Sequence, residues 1–164
     1  MAPSPKVRTY DLAPEMAAAE VTAHLTAAIG ARSDLIPDLI VVNYANPDMV
    51  GHTGSIPAAI AACEAVDRSL GVVLEALEET GGAMLVTADH GNCEVMIDPA
   101  TGGPHTAHTT NPVPLVLIER GPARRDWRVR DGRLADIAPT LLALMGLARP
   151  PEMTGLSLLT GPGA

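Results

Sequence analysis

Five residues of this chain carry side chains suited to gripping a divalent cation: Asp48, His52, Asp89, His90 and His108. They stand in Asn46-Pro-Asp-Met-Val-Gly-His-Thr-Gly54, Thr87-Ala-Asp-His-Gly-Asn92 and Pro104-His-Thr-Ala-His-Thr-Thr-Asn-Pro112. Carboxylate together with imidazole suits Mn²⁺, Zn²⁺ or Fe²⁺. Two neighbouring clusters suit a two-metal site. A single Asp-x-x-x-His means little, because polar loops often hold both residues. Three such clusters, each beside an apolar run and each rich in Gly, Asn, Thr or Pro, are poorly explained by loop chemistry alone. The ends of strands in open α/β sheets are also where ligands bind.

The elements that must position these residues follow from the apolar pattern. Met1 to Asp11 is Pro-rich and extended, and residues 1–13 read as a connector. Residues 14–29 read as a helix, with Pro14 and Glu15 in a favourable first turn and Gly30 as its stop. His24 falls inside that helix, remote from the clusters, and reads as a surface residue. Asp38 to Tyr44 contains Leu39-Ile-Val-Val42, a continuous apolar run of the kind found in strands covered on both faces. A long helix follows to about Thr80, opened by Ser55 and Pro57, with Ile56, Ala59, Ile60, Cys63, Val66, Leu70, Val73, Leu74 and Leu77 at helical spacing. Cys63 is expected to be buried as a small hydrophobe. Residues 83–88 and 114–118 read as two more strands, and residues 135–147 as a last helix. Pro150-Pro151 begins a tail expected to be irregular. This order indicates one α/β domain with a mainly parallel sheet flanked by helices.

Composition excludes several classes of function. The formal charge of −8 disfavours a general nucleic-acid binder, which needs clustered positive charge. Arg120, Arg124, Arg125, Arg128, Arg130 and Arg133 form the one local exception, and read as a solvated segment before an anion-binding patch. Cys63 and Cys93 fit no Cys-x-x-Cys pattern, so a reducing, cytoplasmic setting is expected. No run is apolar and long enough to span a bilayer, and no signal-peptide pattern opens the chain.

At the level of motifs, five stretches closely resemble the cofactor-independent phosphoglycerate mutases of the alkaline phosphatase superfamily. They are Lys6-Val-Arg-Thr-Tyr-Asp-Leu-Ala-Pro-Glu-Met16, Asn43-Tyr-Ala-Asn-Pro-Asp-Met-Val-Gly-His-Thr-Gly54, Thr87–Asn92, Gly103–Pro114 and Leu134-Ala-Asp-Ile-Ala-Pro-Thr-Leu-Leu142, with Glu152-Met-Thr-Gly155 beyond them. The resemblance implies that Asp48, His52 and His108 ligate one metal and that Asp89 and His90 ligate a second. It implies two Mn²⁺, with Zn²⁺, Mg²⁺ or Co²⁺ as substitutes, and interconversion of 2-phosphoglycerate and 3-phosphoglycerate in glycolysis and gluconeogenesis. His105 matches a position near the site that reads as a loop histidine.

The departures from the family pattern matter equally. The family's serine nucleophile stands near its N-terminus, beside an aspartate that binds the second metal, and a separate inserted domain supplies arginines that grip phosphoglycerate. Ser4, Ser33, Ser55, Ser69 and Ser157 stand in none of the nucleophile's context. Residues 14–164 therefore correspond to the C-terminal part of a phosphatase-type metal-binding domain, incomplete relative to the family, with one metal site complete in protein ligands. The expectation is a metal-binding portion of a mutase, inactive alone and prone to self-association, with phosphoglycerate as its ligand once the missing part is supplied. The competing expectations are a metal-dependent phosphate-ester hydrolase and a non-catalytic metal-binding module.

Overall fold

The computed structural model describes residues 2–30, 37–121 and 125–162, so Ser33 and Arg124 lie outside the described residues. The single domain expected from length divides into two compact units. The first holds residues 1–80 and 90–112, and the second residues 81–89 and 113–164.

The first unit is helical. A 3-10 turn at Tyr10–Leu12 precedes α1 (Ala18–Ile29), α2 (Asn46–Gly51) and α3 (Ile56–Thr80). Helix α1 starts later than Pro14 because Met16 adopts φ 45, a left-handed value that breaks helical continuation. Thr22 is buried on α1 and satisfies its hydroxyl with Ala18 O at 2.7 Å and Tyr44 Oη at 2.8 Å. His24 is exposed, as expected.

Helix α3 spans the expected residues, but its buried face differs from the expected one. Ala58, Ala59, Ala62, Ala65, Ser69 and Val73 are buried, whereas Ile56 and Ile60 are exposed. Small residues let α3 approach its neighbours closely, so an alanine stripe forms the inner face. The core joins Val50 of α2 to Ala58, Ala59 and Ala62, with Tyr10, Cys93 and Met96 packed around them. Residues 1–13 are therefore more than a connector, since Tyr10 belongs to this core. Cys63, expected inside, is exposed; it lies on the outer side of the alanine stripe.

Residues 38–44 form no strand, contrary to expectation. A strand exists only with a partner, and the described residues offer this run none. Leu39, Val41 and Val42 are exposed, Val41 by 82%.

The second unit is built on two small antiparallel ladders. Strand β1 (Gly82–Thr87) pairs with β2 (Leu115–Arg120), Gly82 opposite Arg120 and Thr87 opposite Leu115. Strand β3 (Arg128–Val129) pairs with β4 (Leu159–Thr160). The α/β character holds, but the expected mainly parallel sheet does not: among the described residues both pairings are antiparallel. An apolar run reports burial and not strand direction, which explains the error.

A 3-10 turn at Leu134–Asp136 leads into α4 (Ile137–Leu144). The tail after Pro151, expected to be irregular, instead supplies the unit's core. Leu158 is 1% exposed and Leu159 is buried. Thr140, fully buried, donates to Asp136 O at 2.6 Å and accepts the Leu158 amide at 3.0 Å. Asp136 accepts the Leu156 amide at 2.9 Å and the Arg133 amide at 2.8 Å. A Cβ on Gly155 would collide with Ala135 O, so only glycine permits this approach of the tail. Three arginines of the basic segment find partners within the same unit. Arg125 lies 4.5 Å over the Trp127 ring, Arg130 donates to Ser157 O at 3.0 Å, and Arg133 stands 3.9 Å from Asp136.

Candidate metal centre

Helix α2 is short, with Pro47 in its first turn, where the missing N–H costs no hydrogen bond. Asp48 and His52 stand four residues apart and so share one face of this turn. His108 arrives on the loop of residues 104–112. Asp48 Oδ1 lies 3.2 Å from His52 Nε2 and 3.0 Å from His108 Nε2, and the two imidazole nitrogens are 3.0 Å apart.

His52 Nδ1 lies 2.6 Å from the carbonyl oxygen of Thr106. A carbonyl only accepts, so Nδ1 carries a proton, and Nε2 is the nitrogen that a neutral imidazole offers to a cation. Asp48 Oδ1, His52 Nε2 and His108 Nε2 thus meet at one point, three atoms that a single cation could take as ligands. The spacing also fits. Ligands about 2.1 Å from one ion and at right angles about it would be about 3.0 Å apart. The side chains of Asp48, His52 and His108 are 34%, 39% and 49% exposed, so one side stays open to water or substrate.

The supporting residues were not singled out from sequence. Asn92 is buried and donates from Nδ2 to Asp48 Oδ1 at 2.8 Å. Its Oδ1 is buried without a partner. A Cβ at Gly51 would overlap the Asn92 side chain, so α2 and the 90–94 turn touch through glycine. Glu94 accepts the Asn92 amide at 2.6 Å, Asn111 Nδ2 at 3.0 Å and the Thr109 hydroxyl. Gly91 and Thr109 form a β-bridge, with Thr109 N donating to Gly91 O at 2.8 Å. Glu94 thereby clamps the turn that bears His90 to the loop that bears His108. The Thr109 hydroxyl above all, with Asn111 and the Asn92 amide, holds the Glu94 carboxyl below its ordinary value of 4.5. The only sequence signal for these roles was their place inside or beside the three loops.

Of the five predicted ligands, the structure brings Asp48, His52 and His108 into one potential ligand set. His90 stacks its ring on His108 with centroids 3.8 Å apart. Asp89 is exposed and falls in the second unit. His105 is outside the three-ligand set; its amide donates to Met96 O, and its Nδ1 is buried without a partner.

Comparison with known proteins agrees with this chemistry. The chain is 69% identical over 159 residues to the 2,3-bisphosphoglycerate-independent phosphoglycerate mutase of Paracoccus denitrificans (strain Pd 1222), matching 97% of this chain and 30% of that protein. It is 66% identical over 159 residues to the protein of the same name in Agrobacterium fabrum (strain C58 / ATCC 33970), with the same shares. The chain thus spans about 30% of the length of the curated relatives it matches. A Leishmania mexicana phosphoglycerate mutase, crystallised at low cobalt concentration, superposes with a TM-score of 0.84 at 31% identity, over 96% of this chain and 30% of that one. No helix among the described residues is long and apolar enough to cross a membrane. A family model matches residues 1–149, a span that includes every ligand of the cluster, and the chain belongs to the Metalloenzyme superfamily.

Proposed function

We propose that this chain is the metal-binding portion of a phosphoglycerate mutase, the enzyme that interconverts 2-phosphoglycerate and 3-phosphoglycerate in glycolysis and gluconeogenesis. Asp48, His52 and His108 hold one divalent cation, and Asp89 and His90 contribute to a second. Mn²⁺ is the proposed ion, with Zn²⁺, Mg²⁺ or Co²⁺ able to substitute. Such ions clamp attacking and leaving oxygens in phosphoryl transfer. This chain's residues set the geometry, while the serine nucleophile and the phosphoglycerate grip belong to the part of the family's chain that it does not span. Phosphoglycerate is then the partner of the complemented protein, and a cytoplasmic setting fits the free thiols.

The carrying observation is the convergence of Asp48 Oδ1, His52 Nε2 and His108 Nε2 at 3.0–3.2 Å, with the His52 Nδ1 proton committed to Thr106 O. Calorimetric titration with Mn²⁺ tests binding. An enolase-coupled assay tests turnover, first on the chain alone and then with the remaining segment of the Paracoccus relative. Metal binding, no turnover alone and metal-dependent turnover on complementation are expected. Mutase activity of the isolated chain, lost in Asp89→Ala, would show the inactive-alone reading wrong.

A second reading has one observation in its favour. The open side of the cluster suits metal-bound water, so phosphate-ester hydrolysis is the alternative activity. Metal-dependent release of p-nitrophenol from its phosphate by the isolated chain would favour it. Metal binding with no turnover even after complementation would instead favour a non-catalytic module.

A further inference from the structure

The two histidines of the cluster are held by different means. His52 is fixed through its second nitrogen, which donates to Thr106 O at 2.6 Å. Metal-binding histidines are usually oriented in this way. His108 lacks such an anchor. Among the described residues its ring nitrogens find hydrogen-bond partners at Nε2 alone, in Asp48 and His52. Its ring is placed instead by stacking on His90, with centroids 3.8 Å apart, and by the backbone that carries it. The next residue along that backbone, Thr109, is tied down by Glu94.

Glu94 gathers donors from two segments. Its Oε1 accepts the Thr109 hydroxyl and Asn111 Nδ2, the latter at 3.0 Å. Its Oε2 accepts the Asn92 amide at 2.6 Å. Asn92 in turn gives its Nδ2 to Asp48 Oδ1 at 2.8 Å. The contacts close a circuit: Asp48, Asn92, Glu94, Thr109, His108, and back to Asp48 Oδ1 from His108 Nε2 at 3.0 Å. One side chain thus ties the ligand on α2 to the ligand on the loop. A Cβ at Gly91 would overlap both Thr109 Oγ1 and the Glu94 carboxylate, so only glycine admits this approach.

We propose that Glu94 is a positioning residue that holds His108 in place as a ligand, by its reach to Thr109 and not by its charge. Glu94 is exposed, so water and salt screen its field at the cluster. Its hydrogen bonds are not screened away in the same manner, and they fix where the loop stands. Without them the loop meets the 90–94 turn through the Thr109 amide and Gly91 O, a hinge about one bond. The effect on metal affinity rests on the metal reading above, whereas the pose of the His108 ring does not.

The test uses the full chain, with Mn²⁺ calorimetry and with NMR of the histidine rings in the absence of metal. Stacked rings shield each other's protons, so these signals report the His90–His108 stack. Glu94→Asp keeps the charge but falls short by one C–C bond, about 1.5 Å. It should lower Mn²⁺ affinity about 10- to 100-fold, as Glu94→Ala should. Glu94→Gln loses the charge but keeps an oxygen for Thr109 and Asn111. It should stay within about fivefold of the parent, the worth of the one bond lost at the Asn92 amide. In the metal-free Asp and Ala variants the His108 ring protons should move towards unstacked shifts, while the His52 Nδ1 proton persists. Full affinity in Glu94→Asp with loss in Glu94→Gln makes charge the cause and overturns the proposal. A lowered urea midpoint in Glu94→Ala with unchanged affinity and ring shifts overturns it too, as a merely structural role. Should Glu94→Ala fail to fold, the Asp and Gln variants decide by the same criteria. A stack lost in Asp and kept in Gln, in a chain that binds no Mn²⁺ in any form, upholds the positioning of His108 and sinks the metal reading instead.

Discussion

The two units differ in a few of their buried polar atoms, although Thr22, Asn46 and Ser69 of the first are bonded. In the second, Asp136 and Thr140 are buried and fully engaged, tying the tail at Leu156 and Leu158 to the turn before α4. In the first, Asn92 and His105 each bury a polar atom that has no partner, and Asp11 does too. The first also brings three potential ligand atoms together around a single point. A polar network that satisfies itself is a structural fastening. One that leaves lone pairs converging is organised for something it has yet to bind. The difference separates the unit whose tail is fastened by closed hydrogen bonds from the unit that carries the candidate metal cluster.

The contrast breaks most sharply at the ligands themselves. Asp48→Asn or His52→Ala should reduce Mn²⁺ affinity by more than about 100-fold, beyond the usual loss for a supporting residue. Calorimetry on the folded variants measures this, and unchanged affinity in both would remove the first unit's claim to a metal. One step further out, Asn92→Ala should weaken binding by about 10- to 100-fold, because Asp48 Oδ1 loses its orienting amide. A loss as large as that of Asp48→Asn would make Asn92 a ligand and not a support.

In the second unit the same kind of change should touch stability alone. Thr140→Val strands the buried Leu158 amide and should cost about 1–3 kcal/mol in urea unfolding, with Mn²⁺ affinity unaltered. A drop in affinity would show that the two units are not separable in function. Acid should produce a smaller effect, of the same sign in both units. Thr109 and its neighbours hold Glu94 below its ordinary value of 4.5, and the Leu156 amide, followed by that of Arg133, holds Asp136 below 3.8. Each carboxylate therefore contributes fully above its ordinary value, and its contribution is lost as pH falls through the lowered one. Amide exchange should show protection at Thr109 and Leu156 declining only in strong acid, and Glu94→Gln should erase the decline at Thr109 alone. The smallest effect concerns association. Val41→Lys should weaken self-association severalfold in sedimentation equilibrium without altering metal binding. A wild-type chain that stays monomeric at every concentration would remove the premise.

The sequence exposed what depends on local chemistry. Asp48 and His52 were legible because four residues is one turn, and β1, β2 and α3 because apolar periodicity survives folding. What depends on a distant partner was hidden. Glu94 is unremarkable until Gly91 is seen to pair with Thr109. Leu158 sits after a Pro-Pro pair and reads as tail, yet its amide completes the Thr140 hydroxyl. Cys63 lay on the side of α3 that hydropathy marks as inner, but close packing selected the alanines. The run Leu39–Val42 has the composition of a strand but finds no partner among the described residues, and a partner is not a local property.

That run has a consequence beyond this fold. Ile40, Val41 and Val42 are β-branched and uncharged, the composition from which cross-β stacks grow when identical segments meet. Pro37 and Asp38 stand immediately before it. Proline removes a donor from any growing ladder, and aspartate repels its own copies in an in-register stack. They are gatekeepers, placed where a fibril would have to extend. The same few residues thus join a composition that favours ordered stacking to two residues that oppose it.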